Sequence, residues 1–188
     1  MQAGNRRRHA PDSPQLFPLE DDVNTPSTTT TTETAGEKAV WAALQEVDDP
    51  EIPGLSVVDL GIIRSVRSDA SGIKVEVMPT FTGCPALETI RCDIVERLSH
   101  LAQSVEVRFT FEETWTSDRI SERGREQLRL GGTAPPPRDG LIQLVQKSKC
   151  PYCGSHATHT ENAFGPTLCR AIHYCDDCRQ PFEAFKAL

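Results

Sequence analysis

The sequence lacks several features that would have fixed its class at once. No apolar run approaches the roughly 20 residues a membrane helix needs. Arg6-Arg7-Arg8 is followed by Pro- and Asp-containing sequence rather than a continuous apolar stretch, so it reads as a solvated basic end and not as a twin-arginine or other export signal. A basic surplus is also missing. The formal net charge is −7; residues 37–131 hold 11 Lys+Arg against 17 Asp+Glu, and residues 141–188 hold 5 against 4. Neither segment could drive phosphate binding by counterion release, which argues against nucleic acid as a partner. There is no Walker-type phosphate loop, H-E-x-x-H helix, G-x-S-x-G elbow or dinucleotide fingerprint. Glu112-Glu113 is an isolated acidic pair, read as a solvated strand end, and the several carboxylates and His residues of a di-iron site are not present. The expectation is a chain that performs no catalysis by itself and binds no membrane.

What is present is cysteine. Seven Cys, an odd number, in a chain read as having no secretory segment point to a reducing cytoplasm, where paired cysteines more often hold metal than form disulfides. The 188 residues suit one ordinary domain plus a small second one.

Residues 1–34 carry four Pro and a Ser/Thr tract over 27–32; such a composition cannot offset chain entropy by burial and reads as a disordered tail. Thr34 offers a helix cap, and Val40, Trp41, Leu44 and Val47 recur at helical spacing. Asp49-Pro50-Glu51-Ile52-Pro53-Gly54 stops that helix in a loop. Residues 62–67 and 73–78 read as strands joined by a turn at 68–72. Cys84-Pro85 is placed to open a second helix with an apolar stripe of Leu87, Ile90, Ile94 and Leu98, beside which Cys92 reads as a core or boundary residue. Val105, Val107, Phe109 and Phe111 alternate with polar residues as in a half-buried strand. Residues 118–130 suggest a charged surface helix, and Pro135-Pro136-Pro137 a stiff linker. The fold class read from this is α+β: a small two-layer domain over 35–131 with a short mixed sheet and helices, a linker over 132–140, and a metal module over 141–188.

Cys150-Pro151-Tyr152-Cys153 and Cys175-Asp176-Asp177-Cys178 are two C-x2-C hooks separated by residues 154–174. Two such hooks can aim four thiolates at one point, the closed S4 shell of a structural zinc site. Iron in the same geometry is the rival occupant. Cys169 is left over and reads as a buried strand thiol, because a fifth thiolate has no place in a tetrahedral shell. His156, His159 and His173 read as surface or strand residues rather than ligands. A closed site has no open position for substrate, so its expected role is to stabilise a surface.

Thr80-Phe81-Thr82-Gly83-Cys84-Pro85 places a thiol at an expected helix N-terminus, where free N–H groups favour a thiolate. Gly83 would let another molecule approach. Asp59 offers a carboxylate that could face the same loop. The alternative is that Cys84 is a buried cap and Asp59 bonds local backbone.

Asp49-Pro50-Glu51-Ile52-Pro53, Ser56-Val57-Val58-Asp59-Leu60-Gly61 and Thr80-Phe81-Thr82-Gly83-Cys84-Pro85 together resemble the SufT-like domain of iron–sulfur assembly factors (domain of unknown function 59) over about residues 37–112. Further motifs extend the likeness: Trp115-Thr116-Ser117-Asp118, Ser121-Glu122-x-Gly124-Arg125, Ala134-Pro135-Pro136, both cysteine hooks, and Phe164-Gly165-Pro166-Thr167-Leu168-Cys169. With these the sequence resembles the PaaD (PaaJ) family of phenylacetyl-CoA oxygenase (epoxidase) systems. The resemblance implies an accessory, non-catalytic subunit of a multicomponent monooxygenase that epoxidises the ring of phenylacetyl-CoA in aerobic phenylacetate degradation. Its implied role is to help mature an iron–sulfur or iron centre. Implied partners are the oxygenase subunits and the iron–sulfur/flavin reductase. Cys84 matches the family's reactive cysteine and Asp59 its neighbouring Asp, with Thr80 in the same site; a transient iron–sulfur cluster or iron is the implied cargo. One Cys per chain cannot hold a cluster that usually takes four thiolates, so either a homodimer pairs two Cys84 or the client supplies the rest. The competing readings are a structural or docking subunit of the oxygenase without cluster handling and, weaker on charge grounds, a zinc-ribbon nucleic-acid adaptor.

Overall fold

The computed structural model describes residues 35–137 and 148–187, all within one compact unit, Glu33–Leu188. The expected tail over 1–34, the Thr34 cap and residues 138–147 of the expected linker and metal module lie outside the described residues. Helix α1 (Ala35–Leu44) buries Val40 and Leu44, one turn apart, on the face that meets the sheet. The stretch after it, expected as a loop, instead folds into a hairpin. Strand β1 (Asp48–Asp49) pairs antiparallel with β2 (Ile52–Ser56), and Pro50-Glu51 supply the turn.

Strands β3 (Ile63–Asp69) and β4 (Gly72–Val77) form an antiparallel hairpin. β4 then pairs parallel with β5 (Val105–Phe109), so the three-stranded sheet is mixed, in the order β3-β4-β5. A parallel neighbour needs a crossover, which helix α2 (Leu87–Leu98) provides while burying Ile90, Ile94 and Leu98. The two helices pack on each other and on the sheet, giving two layers. Three local expectations are corrected. Helix α2 starts three residues after Cys84, with Ala86 at its cap, so Cys84-Pro85 lie in the preceding turn. Cys92 is exposed rather than core, turned toward Glu88. Phe111 lies beyond the end of β5 and is 55% exposed.

The expected helix over 118–130 is divided. A 3-10 turn (Ser117–Arg119) precedes helix α3 (Glu122–Leu130), and Ser121 caps α3 by accepting the Gly124 N–H at 2.9 Å. Arg125 is buried and donates to the Ser117 and Pro136 carbonyls, tying the turn, the helix and the proline segment together. Close approach accounts for two glycines. A Cβ on Gly61 (φ +73°) would lie 2.3 Å from the Arg119 carbonyl oxygen, and one on Gly124 would lie 2.7 Å from that of Asp59.

The C-terminal sheet has the order β6-β9-β8-β7, from β6 (Thr133–Ala134), β7 (Thr158–Asn162), β8 (Arg170–Cys175) and β9 (Pro181–Phe185). Thr133 and Ala134 pair in parallel with Glu183 and Ala184, so chain leaving α3 enters this sheet directly. The sheet also enters the main core. Phe185 lies 5.8 Å from Trp115, ring centroid to centroid, and the Trp115 indole N–H donates to the Leu60 carbonyl at 3.1 Å. Phe185 and Cys169 are buried in the large cluster with Leu60, Ile90 and Ile94. Cys150, Cys175, Phe182, Ala134 and Ala184 form a separate small one.

Candidate metal centre and the Cys84 junction

The two hooks converge as expected. The Sγ atoms of Cys150, Cys153, Cys175 and Cys178 all lie within 4.8 Å of one another. Cys150 and Cys178 are 3.7 Å apart and Cys153 and Cys175 3.5 Å. A tetrahedral shell with metal–sulfur bonds of about 2.3 Å has edges of about 3.8 Å, close to the two shorter separations, so the cluster suits a zinc ion. Each hook is shaped by a residue at positive φ, Gly154 at 77° and Arg179 at 58°, which turns the chain back on itself. The Gly154 N–H donates to the Cys150 carbonyl and the Arg179 N–H to that of Cys175.

The thiols pull each other apart electrostatically. Backbone N–H groups, first that of Cys178, hold Cys175 down at about 7. Burial, reinforced by the neighbouring thiols, pushes Cys178 up to about 12. Four thiolates cannot share this space without a cation, which is the condition a structural metal removes.

Among the described residues no histidine joins the set. His156 and His159 are exposed, the latter between Glu161 and Asp176. His173 is buried in β8 against Phe182, and burial lowers its pKa.

Cys84 is half-buried at the end of a loop whose residue Gly83 faces open space; a Cβ there would meet no atom within 4 Å. The expected thiolate is not favoured. Burial raises the Cys84 pKa, a hydrogen bond from the Ala86 N–H opposes this, and Glu51, Asp49 and Cys169 push the same way as burial. The acidic side chains acting on this thiol are therefore those of the β1–β2 turn. Asp49 is buried, accepts the Glu51 N–H at 2.8 Å, and has its own pKa raised by burial. Burial, the leading cause, disfavours a charge of either sign at this position, and only the two acidic side chains act as a cation's attractors.

Thr80 sits half-buried at the bend that begins the Cys84 loop. Asp59 is buried, and its carboxylate accepts hydrogen bonds from Ser56 (2.9 Å), Ser121 (2.6 Å), Arg123 (2.8 Å) and Gln45, all outside the Cys84 loop. Burial would raise its pKa, but the bonds from Ser121, Ser56 and Arg123 prevail and lower it.

Sequence reasoning missed Asp49, Glu51 and Cys169 as neighbours of Cys84. Asp49-Pro50-Glu51 was visible as a motif, but nothing in its spacing said which side chain it would face. Cys169 was visible as an odd thiol.

An α+β module carrying a half-buried thiol among carboxylates, joined through a common core to a four-thiol ribbon, defines a class that comparison with known proteins makes explicit. The family model described as iron-sulfur cluster assembly protein matches residues 37–109, and the PaaD zinc beta ribbon domain matches residues 134–186. The chain is 36% identical over 151 residues to an Escherichia coli (strain K12) protein named as the putative D component of 1,2-phenylacetyl-CoA epoxidase, covering 79% of this chain and 92% of that one. It is 34% identical over 95 residues to the Fe-S protein maturation auxiliary factor of Porphyromonas gingivalis (strain ATCC BAA-308 / W83), covering 49% of this chain and 90% of the relative. A crystal structure of a DUF59 domain from Bacillus anthracis aligns at 28% identity over 50% of this chain and 92% of its own, with a TM-score of 0.47. The chain belongs to the PaaD family of phenylacetyl-CoA epoxidase components. Among the described residues no helix is long and apolar enough to cross a membrane.

Proposed function

We propose that this protein is a non-catalytic maturation factor for a phenylacetyl-CoA epoxidase system, acting in the cytoplasm on an iron–sulfur or iron centre of the oxygenase or its reductase. The observation that carries this reading is the surroundings of Cys84, a reachable thiol in the iron–sulfur assembly module, set against Asp49 and Glu51. Burial and the anions hold this thiol protonated, so iron taken up at Cys84 would have to displace that proton. Cys84 is the handling residue, Thr80 shapes its loop, and Asp59 braces the turn and helix behind them. A boundary near residue 131 rests on the end of helix α3 and the entry of Thr133–Ala134 into the ribbon sheet. Cys150, Cys153, Cys175 and Cys178 would hold a structural zinc. The ribbon then presents Phe164 and Leu168, 78% and 48% exposed, toward a client.

The test is a Cys84→Ala strain from which oxygenase and reductase are purified and their iron and sulfide measured. Loss of most of the iron or sulfide in one client is expected. Fully loaded clients would sink the reading and leave a docking role in its place.

A further inference from the structure

Four strands are outermost in the two larger sheets: β3 and β5 in the main sheet, β6 and β7 in the ribbon. β6 has two residues, and β3 and β7 each carry a register irregularity, a feature that blunts a sheet edge. β5 alone is both regular and longer than two residues. Val105–Phe109 pairs with Ile73–Val77 without a break and contains neither Pro nor Gly. Two bonds at its ends fix which way its backbone groups point. The Ser104 carbonyl accepts the Ile73 N–H, and the Thr110 N–H donates to the Val77 carbonyl, each at 2.9 Å. The even-numbered residues therefore bond toward β4, and the N–H and C=O groups of Val105, Val107 and Phe109 point away from it. Among the described residues no strand pairs with that outer side. The side chains alternate between the two faces of the sheet. Val105, Val107 and Phe109 face the core yet are only partly buried, whereas Ile73, Val75 and Val77, their partners in β4, are buried. Glu106 and Arg108 lie on the other face and pair with each other, the Arg108 side chain being 72% exposed.

We infer that β5 pairs antiparallel with β5 of a second copy of this chain, about a two-fold axis at Val107, joining the two main sheets into one. The sequence Val105-Glu106-Val107-Arg108-Phe109 is complementary to itself in this register. Val107 meets the partner's Val107, Val105 meets the partner's Phe109, and Glu106 meets the partner's Arg108 on both sides of the axis. The odd-numbered residues fall in hydrogen-bonded pairs, so every outward N–H and C=O group of β5 finds a partner. Glu106 and Arg108 fall in the other pairs, where side chains approach most closely and opposite charges attract. Lys74 lies beside Glu106 and Glu76 beside Arg108, so the open face of the joined sheet alternates in sign along each row. On the core side the partly buried row gains apolar neighbours along its open flank. The same axis keeps both helix layers on one side of the joined sheet. The dimer is independent of the proposed function but bears on it. Cys84 follows the Val77 end of β4, and in this register the two Val77 ends stand about 13 Å apart along the strands and about 14 Å across them. The two loops leave from opposite ends of the joined sheet, so this dimer does not pair two Cys84 thiols on one cluster.

The experiment follows the mass of the zinc-loaded full chain by sedimentation equilibrium over a range of concentrations. Wild type should dimerise reversibly. Glu106→Arg and Arg108→Glu each set like charges opposite one another at both contacts, and each should raise the dissociation constant at least about tenfold. An equimolar mixture of the two variants restores opposite charges at both contacts and should dimerise about as well as wild type. A wild type that stays monomeric overturns the inference. So does a dimer that both reversals leave intact, or a mixture that associates no better than the variants alone. Should either variant fold poorly, amide exchange of the wild type decides. Exchange at Val105, Val107 and Phe109 should slow as concentration rises, while Glu106 and Arg108, bonded to β4, should not change. Rates at those three amides that ignore concentration would overturn the dimer as well.

Discussion

The ribbon and the Cys84 junction place cysteines in opposite ways. In the ribbon, four thiols from two hooks already lie within 4.8 Å of one another, and the local core around them is small: Ala134, Phe182 and Ala184 beside Cys150 and Cys175. Around Cys84, a single half-buried thiol borders the large apolar core of the assembly module. A small module with a thin core depends on its metal for folding, whereas a module with a full core does not need one for that purpose.

The largest expected effect comes from breaking the first arrangement. Cys175→Ser removes a fully buried ligand. Binding of a structural zinc is worth about 10–16 kcal/mol in zinc-finger peptides, most of it expressed as folding. The variant should lose its zinc, measured by elemental analysis, and the C-terminal segment should become sensitive to protease. Because Phe185 and Cys169 belong to the main core, the melting temperature of the whole unit should fall too. A variant that keeps a protected C-terminal segment without zinc would show that the ribbon folds without its ion.

A smaller effect should come from loosening the joint between the two sites. Phe185 is 1% exposed and stacks at a tilt on Trp115. Phe185→Ala should cost about 3–5 kcal/mol of stability, read by denaturant unfolding with Trp fluorescence as one probe. Zinc content should stay at about one per chain, since the ribbon's own thiols are untouched. A loss of zinc would mean that the ribbon leans on the main core as much as the core leans on it.

The gathering of the four ribbon thiols was legible in the sequence, because a C-x2-C hook is a local object whose spacing aims both thiols at one point; the four strands of the ribbon sheet, and the place of Thr133–Ala134 in it rather than in a linker, were not. The mixed sheet and its crossover helix were legible for the same reason, through alternation in β5 and the Ile90, Ile94 and Leu98 stripe. The junction was not. The acidic side chains of β1 and its turn act on Cys84 only after a hairpin and a crossover have brought distant parts of the chain into one module. Nothing in the spacing encodes that meeting. The start of α2 was misplaced for a different reason. Pro85 is compatible with a first helical turn, but the chain spends Cys84-Pro85-Ala86 in a turn that buries Ala86, and the thiol is left outside the helix end it was expected to cap.

Asp59 supplies the smallest and sharpest test, because its sequence motif pointed to the Cys84 site while its hydrogen bonds point to a brace. Its carboxylate gathers Ser56, Ser121, Gln45 and Arg123, and its backbone carbonyl accepts the Ser121 N–H at 2.9 Å, so it joins the turn before β3 to the start of α3. Arg123 is 58% exposed, and solvent screens its share. Asp59→Asn should therefore cost about 1–2 kcal/mol, mostly from the bonds that rely on the charge. A carboxyl whose pKa is lowered on folding stabilises the protein above its unfolded value of 3.8 and loses that contribution as pH falls through the lower folded value. The stability gap between wild type and Asp59→Asn should consequently be constant near neutral pH and close only below about pH 4. The zinc content should not change. If the variant instead leaves the client proteins short of iron or sulfide while its melting temperature holds, Asp59 acts at the Cys84 site and is more than a brace for the turn before β3.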